Sequence, residues 1–412
     1  MSKRSRVIGL TATAMALTVA LSGCNSNSST AGGGGAGDDG TIKLGVLTDL
    51  TGPAASAFKS TEQGIKAYVE AANQAGGIAG HKIQYVVRDT ASTPTGALTA
   101  AQKLVQNDHV FAVVEVSSNF YGAEPYLLKQ GVPVVGGGFD GPEWTDSKNT
   151  NLFSVIGTFD LDGVSTTVGD YMKSRGATSC GSIGYGSSKA SQRGARNAVE
   201  SCTAVGLKDG YLNDQVPYGT TDVGAVALAI KKAGVDAVYL PVVPNTAFAL
   251  AAALKQLGVK LKSVMLTTGY GGDLLASKAA VQAAQGYEFG SAGLPIEANT
   301  PATRKFAKAL AGVGINGDPS FAQQHAYMGM TAVAAGLKAA GPKPSRASFM
   351  TALRGIKSFD AEGLLAPSKI DFSNFKQFAE GGGPAGCLYP VRLTGDKFVP
   401  VAGTPICGKK IK

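Results

Sequence analysis

Histidine is scarce in this 412-residue chain, and the three present, His81, His109 and His325, lie far apart. No Cys-x-x-Cys pair occurs among the five cysteines either, so a zinc or similar metal site has no ligand cluster to draw on. Also missing are a Gly-x-Ser-x-Gly elbow, a His-Glu-x-x-His helix and a Walker-type phosphate loop. Gly136-Gly137-Gly138 comes nearest to a phosphate cradle, but no Lys-Ser or Lys-Thr follows it. Charge is thin at 16% of residues, and Lys and Arg nowhere cluster among aromatics, which argues against nucleic acid as a partner. There is no internal repeat of solenoid length, which removes stacked-repeat folds. No catalytic residue, metal or cofactor is therefore expected.

What is present starts with an export pattern. Lys3, Arg4 and Arg6 precede an apolar run from Val7 to Leu21, too short to span a bilayer comfortably and ending in small residues. Residues 1–23 are read as a signal peptide. Leu21-Ser22-Gly23-Cys24 resembles the bacterial lipobox, which implies that Cys24 receives diacylglycerol and anchors the protein to the outer side of the cell membrane. Each buried methylene adds about 0.8 kcal/mol of membrane affinity, so two or three acyl chains hold firmly. Residues 24–40, rich in Gly, Ser and Asn, have nothing to build a core from and form a solvated tether. About 370 residues remain from Thr41, enough for two domains.

The formal charge of +9 includes Lys3, Arg4 and Arg6; without them 35 basic residues face 29 acidic ones, a mild +6. With Cys24 lipidated, four cysteines are left in an exported chain, an even number that suggests disulfides. Three pairings are open. Spacing favours Cys180–Cys202 and Cys387–Cys407, each closing a loop of about twenty residues and contributing on the order of 3 kcal/mol.

From Thr41 onward short β-branched apolar runs alternate with Ala-rich helical stretches. Runs at 42–50, 83–89, 110–116 and 132–138 read as strands, separated by helices near 60–76, 95–107 and 122–130. A second series follows, with strands at 180–186, 235–243 and 264–270 and helices near 162–175, 189–205, 221–233 and 246–257. This order predicts α/β architecture with two doubly wound parallel-sheet domains, and a candidate hinge at 157–162. Beyond Gly286 come a strand (YEFGSAG), helices near 302–311, 321–341 and 345–355, and short strands at 387–393 and 397–401.

The segments IKLGVLTDLTGPAASAF and GIKAYVEAANQAGGIAGHKIQYVVRD, with Ala72-Asn73-Gln74-Ala75-Gly76-Gly77-Ile78-Ala79-Gly80 at their centre, resemble the periplasmic binding proteins of the leucine/isoleucine/valine type. GVPVVGGGFDGPEW and the late ALRGIKSFD and KIDF stretches extend the resemblance over nearly the whole mature chain. It implies the type I fold, with a three-crossover hinge between lobes made of 41–157 plus 287–360 and of 158–286 plus 361–412. It also implies a monomer that holds a small-molecule ligand in the interdomain cleft and delivers it to an ABC transporter permease.

In open α/β sheets ligands sit beyond the carboxyl ends of the strands. That places Ser117, Ser118 and Asn119 after one strand, and Gly138, Phe139 and Asp140 after the next, at the cleft. The resemblance puts ligand-carboxylate contacts at Ser117, Gly138 and Asp140. Phe58 and Tyr121 are candidate aromatic walls, and Tyr185, Val243, Asn245, Thr268 and Tyr270 mark the second lobe's side.

Relative to the family pattern, Ala190-Ser191 stand near an expected Tyr-Gly pair, and Val242, Val243, Pro244 and Asn245 where a Tyr is usual. The acidic residue that would neutralise an α-ammonium is replaced by Thr268 or Tyr270. An unpaired buried ammonium costs several kcal/mol, so a plain aliphatic amino acid fits poorly unless Asp140 substitutes. A carboxylate without an amine, an amide or an aromatic acid fits better. A ligand sensor signalling through a membrane partner and an unrecognised hydrolase are the alternatives.

Overall fold

The computed structural model describes residues 40–139, 141–156, 163–375, 379–380, 383–384 and 386–411. The export segment, Cys24 and its lipidation, the tether up to residue 39, Asp140 and the candidate hinge at 157–162 lie outside the described residues.

The first sheet is built from β1 (Thr41–Thr48), β2 (Lys82–Asp89), β3 (Ala112–Val116), β4 (Val134–Gly136) and β5 (Leu152–Ser154), in the order β2-β1-β3-β4-β5 with every pairing parallel. β3 and β4 are buried along their whole length, which is why they read as apolar runs, interrupted in β3 by the buried Glu115. The Asn73–Gly80 segment explains itself as a reversal. Gly76, Gly77 and Gly80 adopt φ of +98°, +94° and +87°, while the Asn73 amide accepts from Ile83 N at 2.9 Å and donates to Ile83 O at 2.8 Å. The helix Thr61–Gln74 is thereby turned back into β2.

The second sheet repeats the arrangement. β6 (Ser179–Tyr185), β7 (Lys208–Val216), β8 (Ala237–Leu240), β9 (Ser263–Leu266) and β10 (Glu288–Gly290) run parallel in the order β7-β6-β8-β9-β10. An antiparallel hairpin, Pro390–Thr394 with Lys397–Pro400, extends the β10 edge, so this sheet is mixed rather than purely parallel.

β10 corrects one expected boundary. The sequence places it in the first lobe, yet among the described residues it pairs only within the second sheet, where the wholly buried Glu288 also has its partners. Its carboxylate accepts from Arg392 Nη2 at 2.5 Å and Ser263 Oγ at 3.0 Å, and Arg175 Nε lies 3.5 Å away. The expected break at 360/361 is likewise too early. Phe359 pairs with Ile370, and Phe372 stacks on Phe153 of β5 at 5.9 Å, so this stretch still packs on the first sheet. The chain passes between the lobes after β5, after β10 and after Phe372.

The helix Phe321–Ala340 is buried over most of its length and packs on β3, β4 and the helix Thr61–Gln74. Most of its residues are apolar, and the buried Gln323 and Gln324 find partners in Gln63 and Ser291. Gly64 sits where any Cβ would collide with Gln323 O, so glycine permits this contact. The two disulfides favoured by spacing are present: Cys180–Cys202 ties β6 to the helix Lys189–Ala204, and Cys387–Cys407 joins two short antiparallel strands. Among the described residues no helix is long and apolar enough to cross a membrane.

Candidate ligand-binding site

A chamber of about 120 Å³ opens between the lobes at the carboxyl ends of both sheets. The first lobe contributes Phe58, Ser118 after β3, Phe139 after β4, Ile156 after β5, and Phe321 at the start of the buried helix. The second contributes Tyr185 at the end of β6 and Ser188 after it, Tyr218 after β7, Pro241 to Val243 after β8, and Thr267 and Thr268 after β9. One side of the helix Lys189–Ala204 forms the remaining wall, with Ala190, Ser191, Gly194 and Asn197 spaced to share a face.

The first lobe's wall is aromatic. Phe58 lies 5.5 Å from Phe139 and 6.2 Å from Phe321, and Phe139 lies 5.6 Å from Phe321. His325 backs this cluster, its ring 4.6 Å from Phe139 and 4.1 Å from Phe321. Complete burial pushes its pKa down to about 3, so the imidazole is neutral. Across the chamber Tyr185 and Tyr218 pack at 4.7 Å. The Tyr185 hydroxyl donates to Thr246 Oγ1 at 2.8 Å and accepts from Val243 N at 3.1 Å, which fixes the ring.

A buried carboxylate underlies the first lobe's floor. Asp49, just past β1 and fully shielded from solvent, accepts from Ser117 Oγ at 2.7 Å, Ser118 N at 3.0 Å, Ser118 Oγ at 3.3 Å and Thr90 Oγ1. Burial pushes its pKa up, and these donors oppose that. Ser118 Oγ also meets Tyr218 Oη at 2.5 Å, and Asn119 Nδ2 donates to the same hydroxyl at 3.5 Å. The lobes are thus joined by a direct hydrogen bond beside the chamber, and Pro53 abuts Gly219 on the same rim.

Of the residues expected from sequence, Phe58, Ser118, Phe139, Tyr185, Val243 and Thr268 line the chamber. Ser117 and Asn119 are buried one layer behind, Ser117 engaged with Asp49 and not facing the space. Gly138 has φ +66° and sits against Ser154 and Trp144, and Tyr121 is half-buried on the short turn Phe120–Gly122; neither reaches the chamber. Asn245 and Tyr270 line a separate hollow with Lys59 and Asp273. There the Tyr270 hydroxyl donates to Glu297 Oε2 at 2.8 Å, and burial pushes the Glu297 carboxyl up to about 7. Asp140 lies outside the described residues.

Sequence reasoning missed Ile156, Ser188, Asn197, Tyr218 and Phe321. Tyr218 follows β7, a strand not read at all because its exposed edge carries mostly polar residues. Asn197 left a signal: a polar residue on the small-residue face Ala190, Gly194, Asn197 of a helix.

Two lobes with one strand order, closing on a chamber at their switch points, define a bilobed cleft-binding fold. The chain belongs to the periplasmic binding protein family, whose model matches residues 41–397. The Leu/Ile/Val-binding protein homolog 1 of Brucella melitensis biotype 1 is 25% identical over 199 residues, 48% of this chain and 53% of that protein. The chain thus spans about half the length of the first curated relatives it matches. The Leu/Ile/Val-binding protein BraC3 of Rhizobium johnstonii is 26% identical over 324 residues, 77% of this chain and 84% of that protein. Among solved structures, a fatty acid ABC transporter substrate-binding protein from Thermomonospora curvata superposes with TM-score 0.72 at 22% identity, covering 92% of this chain and 94% of that one. An R. palustris solute binding protein in complex with benzoate gives TM-score 0.70 at 18% identity, covering 90% and 98%. These likenesses establish the fold.

Proposed function

We propose that the chain is the solute-binding component of an ABC importer, held at the outer membrane face through lipid on Cys24, which encloses a small organic molecule by closing its lobes. The carrying observation is the chamber itself. Its walls come from both lobes, and Ser118 and Tyr218 meet across the cleft only when these are together. Ligand held by one lobe recruits the other and gains contacts from both, which shifts the population to the closed form. The solute is expected to leave unchanged: among the described residues His325 is neutral and Asp49 and Ser118 are bonded to one another, so none of these three is an activated nucleophile.

Leu/Ile/Val-binding relatives support the family's role, and a permease complex is the partner this role requires. Small-angle scattering on the purified chain tests it. Adding the solute that co-purifies, identified by mass spectrometry, is expected to contract the particle. An unchanged shape accompanied by steady consumption of that solute overturns the reading. Mass analysis of the membrane-extracted protein checks for diacylglycerol on Cys24.

A further inference from the structure

We propose that the chamber selects an uncharged, mainly apolar molecule the size of one aromatic ring with a single hydrogen-bond donor, and that Asp49 is the residue that turns carboxylates away. This deepens the solute-binding reading and rests on it.

The first observation is where the donors of the first lobe go. Ser117 Oγ, Ser118 N and Ser118 Oγ, which a ligand carboxylate would need, all point at the Asp49 carboxylate at 2.7, 3.0 and 3.3 Å. The Asp49 carboxylate, beneath the chamber floor, therefore draws these donors away from the chamber. A second carboxylate beside it meets occupied donors and a like charge in a site shielded from water, which raises the cost of both.

The second observation is the neutrality of the walls. No described residue lining the chamber is charged, and the Asp49 carboxylate beneath the floor already has four donors, so an ammonium finds no direct partner among the described lining residues. The polar atoms are largely bonded within the protein: Ser191 Oγ donates to Pro241 O at 2.6 Å and Thr268 Oγ1 to Val242 O at 3.1 Å. Asn197 is the exception. It is 4% exposed, and its Nδ2 donates to Gly163 O at 2.9 Å, which fixes the amide orientation and leaves Oδ1 without a partner. A buried acceptor with no donor costs about 1–3 kcal/mol, and a ligand N–H or O–H that reaches Oδ1 as the Asn197 wall adjusts around it relieves that cost.

Size completes the argument. The space of about 120 Å³ is close to the apolar cavity of about 150 Å³ that takes benzene in a protein core. Rings of both lobes face it, and aromatic pairs add attraction beyond burial alone.

The test is calorimetric titration of the full chain with phenol, benzyl alcohol, toluene, benzoate and L-leucine as probes. Phenol or benzyl alcohol is expected to bind at least tenfold tighter than benzoate or leucine. Asn197→Leu is expected to abolish the preference for phenol over toluene while leaving toluene binding intact. Asp49→Ala frees the serine donors and is expected to raise benzoate affinity at least tenfold; Asp49→Asn, which keeps the side chain's size and removes its charge, serves if the alanine variant does not fold. Tighter binding of benzoate or leucine to the unmodified protein, or no neutral probe binding at millimolar concentration, overturns this inference while the solute-binding reading stands. Turnover of a probe overturns that reading instead.

Discussion

Tyr218 offers the sharpest perturbation, because its hydroxyl bridges the lobes without belonging to the core of either. Tyr218→Phe removes the 2.5 Å bond to Ser118 Oγ and the long 3.5 Å bond from Asn119 Nδ2. Ser118 Oγ keeps Asp49 as a partner at 3.3 Å, so no first-lobe group is left stranded. The loss is therefore that of one ordinary hydrogen bond, about 1 kcal/mol, not the larger cost of an orphaned polar atom. The ring itself stays and keeps its packing on Tyr185 at 4.7 Å. A shift of about 1 kcal/mol in the closing equilibrium weakens apparent affinity about fivefold. Titration calorimetry with the co-purifying solute reads that factor directly. The melting temperature of the ligand-free protein is expected to stay the same, since both hydroxyls are solvated when the lobes part. An unchanged Kd, or an equal fall in melting temperature with and without solute, refutes the bridging argument.

Other expectations concern stability. Burial beside Tyr270, with Asp318 adding like charge, raises the Glu297 pKa from 4.5 to about 7, so the folded state holds that proton more tightly than the unfolded chain does. Its contribution is fully present below pH 4.5 and is lost as pH rises through 7, at most on the order of 3 kcal/mol. Urea titrations of Glu297→Gln should show this slope gone, and parallel curves for the two proteins would sink the assignment. Glu288→Gln leaves Arg175 and Arg392 without their shared carboxylate and should cost about 3 kcal/mol in chemical denaturation, the low end for a buried pair because both guanidiniums are partly exposed. Paired Cys387→Ser and Cys407→Ser substitutions open a loop with a sequence separation of 20 and should lower stability by about 3 kcal/mol under oxidising conditions. Equal denaturation midpoints with and without reductant would refute this last figure.

Legibility followed burial. β1, β3 and β4 announce themselves because parallel strands covered on both faces are mostly apolar, Lys43 in β1 and the buried Glu115 in β3 being exceptions. β7 does not: it runs along an exposed edge as KDGYLNDQV, where alternation is lost and nothing separates a strand from a loop. Tyr218 was invisible for the same reason, since a residue's place at the cleft depends on the strand it follows. β10 was legible as a strand but not as to its sheet, which was decided by ionic partners distant in sequence. Ser117 and Ser118 were placed correctly at the end of β3, but their donors turn inward to Asp49. Local reading identifies what a side chain offers; only the fold decides which neighbour takes it.

The final residues of the chain have a mechanical consequence. Ser165 pairs with Lys410, and the Thr167 hydroxyl donates to Gly386 O and accepts from Gly408 N at 2.8 Å, so the strand entering the second lobe and the one re-entering it are stitched to a common tail. The Cys387–Cys407 bond makes that stitching covalent on one side. Asn197 of the chamber wall, bonded to Gly163 O at 2.9 Å, is tied into the same corner, so the stretch that opens the second lobe, the tail that closes it and the wall turn as one piece.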